Sequence, residues 1–388
     1  MSRDVVVVGA GVIGTAITFR LAEAGARVTL VDRAAPGRGT SSNSFAWVNA
    51  NEKPPLGYHR LNAEGMLAHR RLRDDVQAMG GGSGPSSGTE SRIPQRATWL
   101  HESGGLEWTL SEEGRERLLA KVERLRRWGY RIEVLDEAAV RTLEPHLCLE
   151  GMTAATFCPD EAWVDAPTFA AAVAGAAGAF GAEVRQGAPV TDLLRQGNRI
   201  GGVRLASGEA LAAETVIVAA GRWTDTVAAL AGVAVPLEPT CGLLAVTSQI
   251  TRGVGRVVHV PGMNFRPDPG GGVVIQSAET DATVTPETVP DPALPGCAAL
   301  LQRVQAFLPT VAGARVVQAR VGVRPMPADG FSIVGTVPDR PGLYLVVTHS
   351  GVTLAPLLGE LAAREVTGGG DDPRLAPFRP ARCVRTTN

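Results

Sequence analysis

The chain has 388 residues, 44% of them hydrophobic and 20% charged, and carries a formal net charge of −1 at pH 7. This length favours two domains that share one ligand, and the composition is that of a globular protein whose core can form without disulfide or metal support. A charge so close to neutral argues against the strongly basic classes that bind nucleic acid or an anionic membrane surface.

The N-terminal stretch predicts a complete βαβ unit. Residues 4–8, "DVVVV", form a short β-branched run that is typical of a strand buried in a parallel sheet. Apolar residues then recur at helical spacing from Val12 until Gly25, a residue type that commonly ends a helix. The run "RVTLVD" follows as a second strand and ends at Asp32.

Later segments alternate between strand-rich and helical patterns. In chain order, the sequence predicts a Gly/Ser/Pro-rich surface loop at 80–91, a charged amphipathic helix at 111–128 with Ser111 as its N-cap, a helix followed by a strand at 164–187, a buried strand "TVIVAAG" ending at Gly221, a mainly β region at 240–325, a buried strand "GLYLVV" at 342–347 and a last helix at Leu354–Val366.

Long insertions separate the βαβ signals, so we expect two domains that are interleaved in the sequence. The nucleotide-binding domain is predicted to comprise 1–79, 151–235 and 327–388, the last with a C-terminal tail. The substrate domain is predicted to comprise 80–150 and 236–326.

Other classes of protein are not indicated. The five cysteines are scattered without a CxxC pair, so neither a metal site nor a disulfide framework is predicted. The chain shows no signal-peptide pattern, and no apolar run approaches the roughly 20 residues that span a bilayer. We therefore expect a cytoplasmic protein.

The turn after the first strand has the pattern of a dinucleotide-binding site. Gly9 is expected to make the tight turn, Gly11 to let the backbone approach a pyrophosphate, and Gly14 to let the helix pack on the strand. The helix N-terminus would present free N–H groups to the phosphates. Asp32 stands where a carboxylate suits a bidentate contact to ribose hydroxyls. This motif by itself does not separate FAD from NAD.

Four further segments resemble one family of flavoproteins. In order, they are "GTSSNS" at 39–44, "VIVAAGRWTD" at 216–225, "GVRPMPADGFSIVG" at 322–335 and "HSGVTLAP" at 349–356. Together they resemble the D-amino-acid oxidase superfamily, in its glycine oxidase and sarcosine oxidase branch, over nearly the whole chain. The resemblance implies an α/β (α+β) fold, in which a GR2-type Rossmann domain binds extended FAD beneath an antiparallel-sheet substrate domain.

The resemblance also implies which residues contact FAD. Ser41 to Trp47 would line the pyrophosphate and the flavin ring, and Val190 would meet the adenine through its backbone. The predicted cofactor-binding residues are Gly9, Gly11, Val12, Ile13, Gly14, Asp32, Arg33, Ser41, Ser42, Ala46, Trp47, Val190, Ala220, Gly221, Trp223, Gly351, Val352 and Thr353.

The last helix is expected to face the flavin. If it opens near Thr353, with Pro356 tolerated in its first turn, its positive end would face the edge of the flavin that gains negative charge on reduction. A capped core helix without that role is the alternative. Some sarcosine oxidases attach the flavin through a cysteine, but the matching position here is Gly322, so we predict non-covalent FAD.

Arg324 is the central candidate of the substrate site. A guanidinium in a roof over a flavin needs an anionic partner, which is either a buried acid or the carboxylate of the substrate. Its planar fork suits a bidentate clamp on a carboxylate, and in relatives of this type the arginine of the "RP" motif has that role. We favour the clamp.

The expected chemistry follows from that clamp. A carboxylate held by Arg324 places the adjacent C–N unit for hydride transfer from the α-carbon, after which the imine hydrolyses to an oxo acid and an amine. The family needs no obligatory protein base, so none is assigned. His349 is predicted to lie near the flavin or to fix a loop, and His59 and His259 are weaker candidates.

The chain departs from the family pattern at the substrate wall. Alignment of the "VP" step of glycine oxidases with Arg266-Pro267 puts Asn264 at a tyrosine position and Gly262 at a histidine position. Asn264 is therefore a predicted site residue, whose amide could hydrogen-bond an amine or a second acid. The pocket would then accept a substrate bulkier than glycine, unless other side chains refill the space. The oxygen-activating lysine of sarcosine oxidases is missing from "GGGVVIQS", and Lys53 and Lys121 are distant in sequence, which puts oxygen in doubt as acceptor.

The sequence therefore predicts an FAD-dependent amine oxidase. Its partners would be an amino acid or a secondary amine carboxylate, preferably an N-substituted glycine, and O2, with release of hydrogen peroxide in a biosynthetic role. A D-amino-acid or imino-acid dehydrogenase that uses a quinone or a protein acceptor is the first alternative. A non-catalytic flavoprotein is the second alternative, and the intact Arg324 motif argues against it.

Overall fold

The computed structural model describes residues 3–51, 53–80 and 99–386. The loop predicted at 80–91 lies outside these residues except for Gly80, which ends a helix. In chain order the α-helices are α1 (Val12–Glu23), α2 (Leu56–Gly80), α3 (Glu112–Arg127), α4 (Glu137–Leu143), α5 (Ala166–Ala179), α6 (Thr224–Ala229), α7 (Ala278–Asp281), α8 (Pro295–Val304) and α9 (Gly351–Arg364).

Most of the strands belong to two large sheets. In chain order they are β1 (Asp4–Val8), β2 (Arg27–Val31), β3 (Trp47–Val48), β4 (Leu100–His101), β5 (Gly105–Thr109), β6 (Glu133–Leu135), β7 (Ala154–Cys158), β8 (Ala162–Val164), β9 (Glu183–Arg185), β10 (Val190–Gln196), β11 (Arg199–Leu205), β12 (Ala210–Ala212), β13 (Thr215–Val218), β14 (Val233–Ala234), β15 (Leu237–Thr247), β16 (Val257–Val260), β17 (Met263–Pro267), β18 (Val273–Gln276), β19 (Val316–Pro327), β20 (Ile333–Thr336), β21 (Leu343–Val347) and β22 (Arg385–Thr386).

The first large sheet has the order β20-β21-β13-β1-β2-β9, and all of its pairs are parallel except β20–β21. Its central strand is buried on both faces. Val5 and Val7 of β1 belong to the core that also contains α1, α2, α5 and α9, whereas Val6 and Val8 belong to a second core that contains β10 and β11. Burial of each of these valines contributes roughly 1.5–3 kcal/mol. This two-sided packing explains why the strand reads as a continuous apolar run.

The second large sheet has the order β19-β15-β18-β17-β16-β5-β7-β6, and only its β5–β16 pair is parallel among the described strands. One face packs on α8 in a separate core. The opposite face lies over the parallel-sheet part of the molecule. A Cβ added to Gly322 of β19 would lie 2.7 Å from the carbonyl oxygen of Asn43, which shows how closely the two parts meet.

Three predicted boundaries differ from the structure. The segment 151–235, assigned to the nucleotide-binding domain, begins with β7, which pairs with β5 in the second sheet. The region 240–325 contains α7 and α8 in addition to its strands. The last helix begins at Gly351 instead of Leu354 and ends at Arg364. Two domains interleaved in the sequence remain our interpretation, but the boundary predicted at residue 151 moves to a position after β7.

Among the described residues, no helix combines the length and the apolar character needed to traverse a lipid bilayer.

Candidate active site

The glycines of the first βα turn are closely fitted to their neighbours. Gly9 has a φ of +107°, and a Cβ there would lie 2.5 Å from the carbonyl oxygen of Ala219. A Cβ on Gly14 would lie 1.8 Å from the carbonyl oxygen of Gly9, so a larger residue would push α1 away from β1. Gly11 is the N-cap of α1 and brings no side chain to its first turn. The Val12 N–H donates to the Ser41 Oγ at 3.2 Å, so an anion at this turn would meet the Ser41 hydroxyl beside the other N–H groups of the first turn.

Asp32 is held at the same turn by two backbone groups. Its Oδ2 accepts a hydrogen bond from the N–H of Ala10 at 2.7 Å, and its Oδ1 accepts one from the N–H of Ala34 at 2.8 Å. Each carboxylate oxygen has a second lone pair that a ribose hydroxyl can use. Beside it, the Arg33 guanidinium lies 3.8 Å from the centre of the Trp223 ring.

A cavity of about 530 Å³, the nucleotide cavity, runs along these residues. Thirteen of the predicted cofactor-binding residues line it: Gly9, Gly11, Val12, Ile13, Asp32, Arg33, Ser41, Val190, Ala220, Gly221, Trp223, Gly351 and Val352. Gly14 acts only in helix packing. Ser42 lines a smaller polar cavity on the other side of Ser41, and its Oγ donates to the Gly39 carbonyl at 2.9 Å, so its predicted contact with the cofactor does not fit this geometry.

The first turn of α9 borders the nucleotide cavity and is supported from behind by His69. Because α9 begins at Gly351, Pro356 stands in its second turn and not in its first. Proline has no N–H, so Pro356 cannot donate the usual helical hydrogen bond to the carbonyl of Val352. His69 of α2 replaces that donor, with Nε2 2.8 Å from the Val352 carbonyl oxygen. Burial lowers the pKa of His69 to about 4, so the ring is neutral at pH 7 and carries its proton on Nε2.

A second cavity of about 480 Å³, the substrate cavity, adjoins the first. Six residues line both cavities: Thr40, Asn43, Ser44, Pro325, His349 and Val352. The predicted residues Ala46, Trp47, Thr353 and Arg324 lie on the wall of the substrate cavity. The two cavities thus share a wall near the "RP" motif.

Arg324 has an acidic partner within the protein. Its Nη2 donates to Oδ2 of Asp281 at 2.6 Å, and its Nη1 donates to the carbonyl of Cys241 at 2.7 Å. A Cβ on Gly242 would lie 2.5 Å from Nη2, so the glycine makes room for the guanidinium. The ion pair is the structural alternative that the sequence analysis left open. Together with the bond to Cys241, the ion pair leaves three of the five N–H groups of Arg324 for another anion.

Asp281 continues into a line of polar side chains across the sheet. Gln276 Nε2 donates to Oδ2 of Asp281 at 2.6 Å, and Asn264 Nδ2 donates to Oε1 of Gln276 at 2.7 Å. His259 Nδ1 lies 2.5 Å from Oδ1 of Asn264. His259, Gln276 and Asp281 line the substrate cavity, whereas Asn264 sits between them, off its wall.

The predicted enlargement of the pocket at Asn264 and Gly262 is therefore wrong in its geometry. Gly262 lies in the exposed turn between β16 and β17, with a φ of +73°, and does not line the cavity. His259 of the preceding strand and Gln276 of the following one provide the wall. His259 takes this place because the register of the β16–β17 hairpin sets it opposite Asn264 and leaves Gly262 in the turn.

Three cationic side chains line the substrate cavity together with two acids, Glu107 and Asp281. Both lysines of the chain, Lys53 and Lys121, line it, although the sequence analysis set them aside because they are distant from the matching strand. Lys121 forms an ion pair with Glu107. His349 lies on the wall shared by both cavities; desolvation, with Lys53 and Arg324 nearby, lowers its pKa to about 4, so it is neutral at pH 7.

A buried carboxyl group supports the wall at Trp47. Glu161 accepts hydrogen bonds from Nε1 of Trp47, from Nδ2 of Asn51 and from the hydroxyl of Tyr130, each at 2.8 Å. Burial raises the pKa of Glu161 to about 7, while these donors and the charge of Lys121 act in the opposite direction. Two of its donors, Trp47 and Asn51, themselves line the substrate cavity.

Several wall residues were missed by sequence reasoning. Asp281, Gln276 and Glu107 follow no motif, and nothing in their local sequence marks them. The lysines did carry a signal, because only two of the 38 basic residues are lysine. A rare residue type used twice at one site deserved more weight than its distance along the chain.

Comparison with known proteins places the chain in a family. A family model described as FAD dependent oxidoreductase matches residues 4–365. The chain belongs to this family. Glycine oxidase of Geobacillus kaustophilus is 27% identical over 98% of this chain and 97% of its own length. A crystal structure of glycine oxidase from that organism has a TM-score of 0.82 at 26% identity, covering 97% of this chain and 98% of that chain.

Two other relatives differ in their named activity. A D-amino acid dehydrogenase of Methylobacterium nodulans is 27% identical over 94% of this chain and 95% of its own length. The crystal structure of iminodiacetate oxidase from Chelativorans sp. BNC1 shares the fold, with a TM-score of 0.80 at 24% identity over 97% of this chain and 98% of that chain. The predicted fold class is confirmed: a mixed α/β protein with an FAD-binding part and a substrate domain.

The residues present fit the cofactor that the family implies. The nucleotide cavity combines a helix N-terminus that lines it beside the Ser41 hydroxyl, a carboxylate with spare acceptor capacity at Asp32, and glycines at the points of closest approach. This protein is accordingly an FAD-dependent oxidoreductase.

Proposed function

We propose that this protein is an FAD-dependent amino-acid oxidase of the glycine oxidase and sarcosine oxidase type, acting on an N-substituted glycine. The observation that carries the proposal is the position of Arg324, which lies on the wall of the substrate cavity next to Pro325, a residue common to both cavities. A carboxylate bound there has its α-carbon near the junction of the two cavities.

FAD would be held without a covalent bond, with its ribose at Asp32, its pyrophosphate at the first turn of α1 and its ring at the residues shared by the two cavities. When bound there, it supplies the hydride acceptor. Neither cavity is lined by cysteine within the described residues, and Gly322 occupies the position of the covalent attachment. Acid precipitation should release all of the flavin into the supernatant, and flavin that stays with the pellet would contradict this.

Arg324 would orient the substrate through its carboxylate. Two of its N–H groups are used by Cys241 and Asp281, and the remaining three suit a carboxylate. The α C–H bond breaks with departure of a hydride and leaves a protonated imine. Addition of water then gives an oxo acid and an amine.

The apolar part of the wall favours a carbon substituent on the nitrogen. Phe45, Trp47 and Leu244 line the substrate cavity together with its polar groups. An alkyl or carboxyalkyl group on nitrogen would gain contact there, whereas glycine would leave that surface to water. This argument replaces the one based on Gly262.

Oxygen is the electron acceptor that we propose, with hydrogen peroxide as the product. Lys53 and Lys121 line the cavity beside the acids Glu107 and Asp281, and a lysine ammonium can stabilise the negative charge that oxygen gains on reduction. A dehydrogenase that uses a quinone or a protein acceptor is the second candidate, supported by the similarity to the D-amino acid dehydrogenase of Methylobacterium nodulans.

Anaerobic bleaching of the flavin, followed by admission of air, separates these possibilities. We expect N-alkyl glycines to bleach the flavin faster than glycine or D-amino acids, and air to restore its colour with release of peroxide. Bleaching by D-amino acids without reoxidation in air would favour the dehydrogenase. A flavin that no amine bleaches would overturn the proposed function.

A further inference from the structure

We infer that His259 receives the amine end of the substrate through its Nε2, and that Asn264, Gln276 and Asp281 hold it in the tautomer that this role requires. The inference rests on the proposed function for the substrate and gives a specific role to a residue that the sequence analysis named only as a weaker candidate. Its observation is the line of hydrogen-bonded side chains that begins at His259 and ends at Arg324.

This line crosses four neighbouring elements of the roof. It runs from His259 on β16 through Asn264 on β17 and Gln276 on β18 to Asp281 in α7, where it meets Arg324. Strand register sets the first two steps, because His259 is paired with Asn264 and Asn264 with Gln276. Neighbouring residues on adjacent strands point to the same face of a sheet, so these contacts are imposed by the fold.

The direction of every hydrogen bond follows from the acid at the end of the line. An Asp281 carboxylate that is paired with Arg324 only accepts, so Gln276 must present its NH2 group to it. The carbonyl of Gln276 then faces Asn264, which must donate with its own NH2 group. The carbonyl of Asn264 is left to face His259.

His259 therefore carries a proton on Nδ1. A neutral ring of this tautomer has a lone pair on Nε2. Within the described part of the chain, Nε2 makes no hydrogen bond, and the ring lines the substrate cavity with its centre 6.2 Å from that of Trp47. Asp281, which orients His259 through the line, is thus also the ion-pair partner of Arg324. The carboxylate of the substrate would meet Arg324 and its amine would meet His259, and both side chains are connected to Asp281.

The proposed role is acceptance of a proton. An amino acid enters with a protonated amine, which must lose a proton before its α-carbon can release a hydride. One N–H bond of the ammonium breaks, the proton forms an N–H bond at Nε2 of His259, and the electron pair stays on the amine nitrogen. The imidazolium later returns the proton to water. Asn264, Gln276 and Asp281 are positioning residues in this scheme.

Other charged groups surround this histidine. Glu107 of β5 is paired with His259 in the sheet and forms the ion pair with Lys121 of α3. The remaining titratable groups on the same cavity wall are Lys53, Asp281, Arg324 and His349. Variants that test the inference leave all of these groups in place.

The first test reads the tautomer of the flavin-loaded protein without any turnover. In protein with 15N-labelled imidazoles, the His259→Gln variant identifies the signals of this ring by their loss. We expect a protonated Nδ1 and an unprotonated Nε2 in the wild type, and a mixture of the two tautomers in Gln276→Met, which keeps the side-chain length but removes the amide. A proton on Nε2 in the wild type, or an unchanged tautomer in Gln276→Met, would overturn the inference.

The second test measures the rate of anaerobic bleaching by N-ethylglycine as a function of pH. We expect His259→Gln to lower the rate at pH 7 about tenfold or more, and the deficit to shrink as the pH approaches the pKa of the free amine. Gln276→Met should shift the profile in the same direction by less. The matched control is His146→Gln, which changes a partly buried histidine that lines neither cavity.

The two possible failures look different. An unchanged pH profile in His259→Gln, with a wild type that bleaches normally, would remove the role of His259 and leave the proposed function intact. A wild type that no amine bleaches would overturn the proposed function and the role of His259 as an amine acceptor together.

Discussion

Arg324 and Asp281 form an ion pair on the wall of the substrate cavity, with Nη2 2.6 Å from Oδ2. Their side chains are 31% and 11% exposed, so the acid is the more buried partner. Asp281 also accepts hydrogen bonds from Gln276 and from the backbone N–H of Leu243. The charge of the arginine that is expected to hold a substrate is therefore already neutralised by Asp281. A substrate carboxylate must share Arg324 with this acid, which Gln276 and the Leu243 N–H also hold in place.

Arg324→Ala should weaken the binding of carboxylate substrates by about 2–5 kcal/mol, because it removes the clamp and leaves Asp281 as an unpaired charge on the wall. The measurement is the Kd of a carboxylate inhibitor, determined by titration of the flavin absorbance. Unchanged affinity for acidic ligands would rule out the clamp.

Two further variants separate these effects. Arg324→Lys keeps the charge but loses the bidentate fork, so it should recover only part of the affinity. Adding Asp281→Asn to Arg324→Ala removes the unpaired charge and should restore thermal stability without restoring ligand binding. If that double variant bound carboxylates like the wild type, Asp281 and not Arg324 would control the site.

Gly14→Ala should reduce both stability and flavin content. Its Cβ would lie 1.8 Å from the Gly9 carbonyl oxygen, so α1 must move away from β1, at a cost of about 1–3 kcal/mol or more. Gly175→Ala is the matched control, because it is an exposed helical glycine in α5 with no atom within 4 Å of an added Cβ. Thermal unfolding and bound FAD per chain measure the effect, and equal behaviour of the two variants would refute it.

Glu161 should make the protein less stable as the pH rises through the weakly acid range. The folded protein holds the proton of Glu161 up to about pH 7, whereas an unfolded chain releases it near pH 4.5. The free energy of unfolding should therefore decrease as the pH rises from about 4.5 to about 7, by up to about 3 kcal/mol. Urea unfolding at several pH values measures this slope, and Glu161→Gln should flatten it.

The surface variant Glu113→Gln serves as control for that experiment, since the Glu113 side chain is 78% exposed on α3. It should leave the slope unchanged. The same slope in wild type and Glu161→Gln would show that other groups cause it.

His69 and Pro356 should be thermodynamically coupled through the carbonyl of Val352. His69→Leu removes the side-chain donor to that oxygen and should cost about 1–3 kcal/mol. Pro356→Ala returns a backbone N–H to the helix, so the same change in that background should cost less. A double-mutant cycle by urea unfolding measures the coupling, and purely additive effects would contradict it.

The pH dependence of His69 has the opposite sign to that of Glu161. The unfolded chain takes up a proton near pH 6.5, whereas the folded chain resists it until about pH 4. Stability is fully present above pH 6.5 and is lost as the pH falls towards 4. His69→Leu should remove this part of the acid sensitivity, and an unchanged acid limb would show that the ring titrates freely.

The sequence by itself determined the nucleotide-binding half of this protein. The β-branched run at 4–8, the glycines that follow it and Asp32 form one continuous strand-turn-helix-strand unit. Their contacts join residues that are close in the chain, so periodicity and spacing specify them. Arg324 could be located as a candidate in the same way, because its motif is local.

Only the tertiary structure decided what stands around Arg324. Asp281, His259 and Lys121 come from separate elements, and their meeting depends on the pairing of β16, β17 and β18 and on the packing of α3 and α7 against the sheet. Strand register is set by burial and by turn geometry over the whole sheet, and a slip of one residue would turn His259 and Asn264 to the opposite face. Gly262 illustrates the consequence: an alignment put it on the wall, whereas the hairpin turn places it in solvent.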